Sequence, residues 1–204
     1  VSTDCEIACE WALVTPPVLE PLDPDDAIRQ ARAMPDSEVT LFQSYIVAAR
    51  QAAENHMARG LLTQTWKLVC SAFADVIWLP MAAPLQSITS VKYYNTDTPS
   101  VLTTLATTYY QANTTSRPGC VERAPGQSWP SVQADRRFPI EITYVVGWAS
   151  ADDVPERIKQ GIRFHVAYLQ YDREGMEEYG ANSMKAAMCC WDDVVWWKPP
   201  AYTR

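Results

Sequence analysis

Residues 36–66 read DSEVTLFQSYIVAARQAAENHMARGLLTQTW, and this stretch decides the fold. Val39, Phe42, Ile46, Ala49 and Ala53 recur at three- and four-residue steps, with Leu41, Tyr45, Ala48 and Ala52 beside them. That spacing is one face of an α-helix. Much of the face is alanine, so a neighbouring helix can approach closely. Asp36 or Ser37 offers an oxygen to the first free backbone N–H groups, and Glu38 suits the positive end of the helix. Gly60 stands where a left-handed C-terminal cap belongs. Directly after it the period drops to two: Trp66, Leu68 and Cys70 alternate with Lys67 and Val69. A long helix, 37–59, therefore runs into a strand, and the rest of the chain must pack on one or the other.

Towards the N-terminus, residues 1–22 read as an extension. Its first ten residues suit an arm, and 11–21, WALVTPPVLEP, is kept extended by prolines. Asp23 caps a short helix that carries Pro24 at its first position, Asp25 and Asp26 in its first turn, and Ala27, Ile28 and Ala31 inside. Pro35 ends it. With the long helix it forms the first part of a helical core, 23–62.

Residues 63–148 are rich in strand signals. Segments 65–71, 76–79, 88–94, 108–112, 120–122 and 140–146 are β-branched or aromatic, and proline, glycine and asparagine separate them. Ile140, Ile142, Tyr144 and Val146 alternate with Glu141, Thr143 and Val145, which gives one core face and one wetter face. Short antiparallel strands of this kind make a small sandwich or partial barrel. Residues 149–175 supply the second part of the helical core. Asp153 and Glu156 bracket the start of helix 154–174, Ile158, Ile162, Val166 and Leu169 form its seam, His165 borders that seam, and Gly175 ends it. The expected fold class is α+β: two long antiparallel helices packed on each other, with a β-rich, sandwich-like insertion between them in sequence. Residues 176–188 turn polar with small residues and are only weakly helical, the end is aromatic, and 176–204 as a whole are expected to be an extended docking tail.

The composition fits a globular chain: 204 residues, 48% hydrophobic and 20% charged. No apolar run reaches the length of a membrane helix. The net charge of −7 argues against gripping nucleic acid by phosphate neutralisation. Tyr93 and Tyr94, without a basic groove, read as sheet-face residues. The six cysteines form no CxxC pair, and His56 and His165 lie far from all of them in sequence, so reduced thiols are expected and no metal. No nucleophile elbow, phosphate loop or zinc helix motif occurs. His165 lies about three helical turns from Asp152 and Asp153, roughly 18 Å along the axis, too far for an acid–base pair. His56 reads as a surface residue near a helix C-terminus, Asp25 and Asp26 as a helix-start feature, and Asp192 and Asp193 as an acidic pair without partners. No catalytic residue, cofactor or metal is expected. The tail is different: Trp191, Val194, Val195, Trp196, Trp197, Lys198, Tyr202 and Arg204 combine aromatic anchors with prolines that hold the end extended, the chemistry of docking into a partner's groove. An intramolecular closing strand is the alternative.

Several blocks, in order, resemble the head-tail connector (adaptor) family of tailed bacteriophages: LVTPP and EPLDPDDAIRQARA, the alanine-rich helix ending ARGLLTQTW, PLQSITSVKYYN, PGCVERAPGQSWP, the strand ending VVGW, and VPERIKQ followed by YDRE. The resemblance spans about residues 12–175. It implies a structural virion protein, not an enzyme, assembled in the host cytoplasm and placed in the neck. About a dozen copies would stack as a ring beneath the portal. That ring would extend the channel through which genomic DNA passes without specific binding, offer a surface to the stopper or tail protein, and dock its tail, 189–204, on a neighbour, the portal first. A stopper or tail-completion protein is the near alternative. A secreted, disulfide-stapled β-rich binding domain, or a hydrolase using His165, would be of another class.

Overall fold

The computed structural model describes residues 7–31, 39–173, 177–192 and 194. In chain order the strands are β1 (Cys9–Thr15), β2 (Gln64–Cys70), β3 (Val76–Trp78), β4 (Leu85–Tyr94), β5 (Leu102–Thr104), β6 (Tyr110–Asn113), β7 (Cys120–Arg123) and β8 (Ile140–Val146). The helices are α1 (Pro24–Ala31), α2 (Val39–Met57), α3 (Glu156–Arg173) and α4 (Glu177–Asp192). The chain is α+β and its strand pairs are all antiparallel. It divides into two compact units, one from the segments up to residue 16 and 64–147, the other from 17–63 and the segment after 147.

In the first unit, a five-stranded sheet runs β1-β2-β8-β4-β5 and a three-stranded sheet runs β3-β7-β6. Strand β8 is the centre of the larger sheet because both its edges are paired and its alternation is strict. Ile140, Ile142, Tyr144 and Val146 are buried, while Glu141, Thr143 and Val145 are half-buried. The phenol of Tyr144 donates to the carbonyl of Pro80 at 2.8 Å, so its buried oxygen is satisfied. Leu68, Val91 and Ile142 of the larger sheet share one apolar cluster with Ile77 and Val121 of the smaller. Two strands were not expected. Strand β5 is only three residues long, too short for periodicity to reveal. Residues 9–15, expected within an N-terminal extension, form the edge strand β1, in register with β2 from Cys9↔Cys70 to Leu13↔Trp66. The amide of Ser71 donates to the carbonyl of Ala8 at 2.9 Å, which leaves Cys9 and Cys70 as a pair without mutual backbone hydrogen bonds. Such pairs bring side chains closest, and these two cysteines are joined in a disulfide. The expectation of reduced thiols fails for this pair, because strand pairing brings together residues 61 apart in sequence.

The second unit is helical. Helix α1 starts as expected: the Asp23 carboxylate accepts the amide of Asp25 at 2.8 Å, and Ala27, Ile28 and Ala31 are buried. Phe42, Ile46, Ala49 and Ala53 of α2 are buried, as are Ile158, Ile162 and Val166 of α3, all in one cluster. Leu169, assigned to the same seam, is only half-buried, and Gln170 takes the buried position beside it. The residue with positive φ after α2 is Ala58, at 52°, so Gly60 is not the left-handed cap. Helix α4 is a third correction. Residues 177–192 were expected in an extended tail; they form 16 residues of helix that pack on α3 more extensively than α2 does. Gly180, Asn182 and Ser183 weaken the helical signal in the sequence, while Gly180 lets α4 approach Tyr168 of α3 closely.

Candidate assembly surface

Trp191 anchors α4. It is fully buried, in the same cluster as Ile158, Ile162 and Ala187. Its ring lies over Gly161 of α3: a Cβ at 161 would sit 2.2 Å from the indole nitrogen. The sequence placed Trp191 among docking residues; the structure buries it in the core of its own unit. Both of the chain's histidines flank it, His56 of α2 at 5.9 Å and His165 of α3 at 5.7 Å between ring centroids. His165 was read as bordering the seam. It is only 8% exposed, and burial holds its pKa below the ordinary histidine value. His56 bonds Asp192 at 2.8 Å, so both His56 and Asp192 have a partner that the sequence did not reveal. Val194 is half-buried against the same cluster, and its amide bonds the carbonyl of Trp191 at 2.9 Å. Val195, Trp196, Trp197, Lys198, Tyr202 and Arg204 lie outside the described residues, as do Cys5, Asp36, Ser37, Gly175 and Asp193.

A buried ion network was also missed. Arg50 projects from α2 into the unit and bonds Glu20 and Glu54, each at 2.8 Å. Glu54 uses its other oxygen to accept the amide of Leu61 at 2.9 Å. Burial alone would lower the Arg50 pKa, but the Glu20 hydrogen bond and the charges of Glu54 and Glu20 outweigh it and leave the pKa raised. The legible signal was Arg50 and Glu54 four apart on a helix, a spacing that pairs them. This network ties the end of α2 to the chain leaving it.

Among the described residues, apolar surfaces lie open at two places on this unit. Val18 and Leu19 are 94% and 55% exposed and line a pocket of about 250 Å³ with Leu62, Thr63 and Ala149. A wider groove of about 600 Å³ runs between α3 and α4, lined by Tyr168, Ala181, Met184, Lys185, Met188 and Cys189. Its α4 lining is a stripe at helical spacing about a third of a turn from Ala187 and Trp191, and Met188 also packs against their cluster. Among the described residues, no group of three or more histidines, cysteines and carboxylates is placed to hold a metal ion. No described helix is long and apolar enough to cross a membrane.

No family model and no curated protein matches the sequence. The fold is similar to solved chains of gene transfer agent particles. One comes from the neck of the empty particle computed with C6 symmetry, with TM-score 0.66 and 21% identity over 80% of this chain and 84% of that one. A second belongs to the virion of the native particle, with TM-score 0.64 and 22% identity over 80% and 84%. A third is from the neck of the native particle computed with C12 symmetry, with TM-score 0.59 and 22% identity over 80% and 83%.

Proposed function

We propose that this chain is a structural neck protein of a tailed phage or phage-like particle, an adaptor whose copies form a ring between the portal and the stopper or tail. The observation that carries the reading is the likeness of fold, over four-fifths of the chain, to chains of necks described with six- and twelve-fold symmetry. The blocks resembling connector proteins fall within the segments that build both units, which supports the same reading. The role is mechanical: extend the DNA channel, seal the junction and present docking surfaces. The acidic balance, −7 per chain, suits a lumen through which DNA slides, because a surface without excess cations does not retain phosphates. A gel shift at physiological salt should then give no submicromolar complex with duplex DNA.

Particles produced without this chain test the role. Heads and free tails should accumulate unjoined, and the chain supplied in trans should join them. Intact tailed particles in its absence would overturn the reading. The aromatic residues beyond Val194 dock outside their own subunit in this account.

A further inference from the structure

We infer that the groove between α3 and α4 receives the C-terminal segment, residues 195–204, of a second copy of this chain, so that each subunit holds its neighbour. This rests on the ring reading above and names the acceptor of the tail.

The groove is apolar and built for aromatic guests. Met184 and Met188 supply polarizable sulfurs that favour ring contacts. Tyr168 supplies a ring face, and Lys185 a cation at the rim. The segment after Val194 reads VWWKPPAYTR, with two tryptophans and a tyrosine in ten residues. Ten residues span at most ~33 Å. The groove stripe from Ala181 to Cys189 covers ~12 Å of helix. The segment is therefore long enough to lie along a groove and leaves ~20 Å with which to reach it.

The chain's own groove is the poorer acceptor. Helix α4 ends at Asp192 and Val194 is folded onto the face that carries Ala187 and Trp191. The groove stripe lies about a third of a turn around the helix from that face. Returning to it requires reversing direction directly after Val194. The next residues are Val195, Trp196 and Trp197, none of which favours a tight turn, and the first proline is Pro199. A reversal would spend the two tryptophans on the turn itself. Docking in trans needs no such reversal. Each buried tryptophan removes ~150–250 Å² from water. Two per tail fall short of the ~800 Å² per partner of a free-standing interface. The contact therefore supplements a ring in which every subunit gives one tail and accepts one, a head-to-tail arrangement that closes.

Cys189 is free, exposed and on the groove wall, which gives a direct test. The full chain carrying Ala201→Cys is treated at high concentration with a short bis-maleimide and run on a denaturing gel. A ladder of covalent multimers is expected, lost in the Ala201→Cys, Cys189→Ser double variant and absent from the unsubstituted chain. Self-association measured by light scattering should weaken at least ~tenfold in Met184→Glu. The same loss is expected in Trp196→Ala, Trp197→Ala, which leaves every described core residue unchanged. A monomer bridged within itself, a chain that never associates, or association indifferent to both variants would each overturn the inference. Joining of heads to tails by the same variants is scored separately. Joining without cross-links sinks the groove and leaves the neck role standing; failure of the unsubstituted chain to join them sinks the neck role.

Discussion

Replacing Glu54 by alanine probes the interaction that orders the end of α2. The Arg50 and Glu54 side chains are 6% and 7% exposed, so the pair is removed from water. Deleting one partner of such a pair costs about 3–5 kcal/mol, because the remaining charge stays buried. Glu20 still bonds Arg50 at 2.8 Å and holds the loss toward the lower end. The amide of Leu61 loses its acceptor as well, at 0% exposure of the residue, which adds about 1–3 kcal/mol. The two costs share one site and are not additive, so a total near 4 kcal/mol is expected. For a chain of this size that is about 8–16 °C in melting temperature. The assay is thermal and urea unfolding followed by helical circular dichroism. Glu54→Gln retains an oxygen for Leu61 and should lose about half as much. A loss below about 1 kcal/mol for Glu54→Ala, or equal losses for the two variants, would refute the assignment of the network as a support of the helical unit.

Gly161→Ala should destabilise the helical unit by at least the ~1–3 kcal/mol of an overpacked core, since the new methyl meets the indole of Trp191; unfolding curves read this, and an unchanged midpoint would place Trp191 elsewhere. Stability should fall as pH drops below ~6.5: the folded His165 pKa is depressed, so the unfolded chain binds more protons in that window and protonation favours unfolding. His165→Phe should flatten this slope in melts between pH 7 and 5, and an unchanged slope would assign it to other groups. Thiol titration of the oxidised chain in denaturant should find no more than four of its six cysteines reactive, with all six appearing after reduction; six without reductant would contradict the Cys9–Cys70 bond.

The parts of the fold legible in the sequence were those where local pattern and tertiary environment agree. Strand β8 alternates strictly and was found at its true ends. The alanine face of α2 and the Ile158–Ile162–Val166 seam of α3 were legible because helical spacing and burial coincide. Strand β1 was hidden because four of its last residues, from Ala12 to Thr15, are exposed at a sheet edge, so alternation carries no burial signal there. Helix α4 was hidden by Gly180, Asn182 and Ser183, which lower local helix propensity, although Gly180 serves its close approach to Tyr168 of α3. Trp191 was read with the tail because three tryptophans crowd the end of the chain. One of them lies inside the helix, and only the fit to Gly161 distinguishes it. The Arg50–Glu54 pair was visible as a spacing, but its burial depends on Glu20, 30 residues away.

The most direct test of the neck assignment is a symmetric reconstruction of the particle that carries this chain. Density for this fold is expected, repeated in a closed ring directly beneath the portal, with the channel open along the particle axis. Density for the chain anywhere other than the neck, or a single copy off the axis, would contradict it.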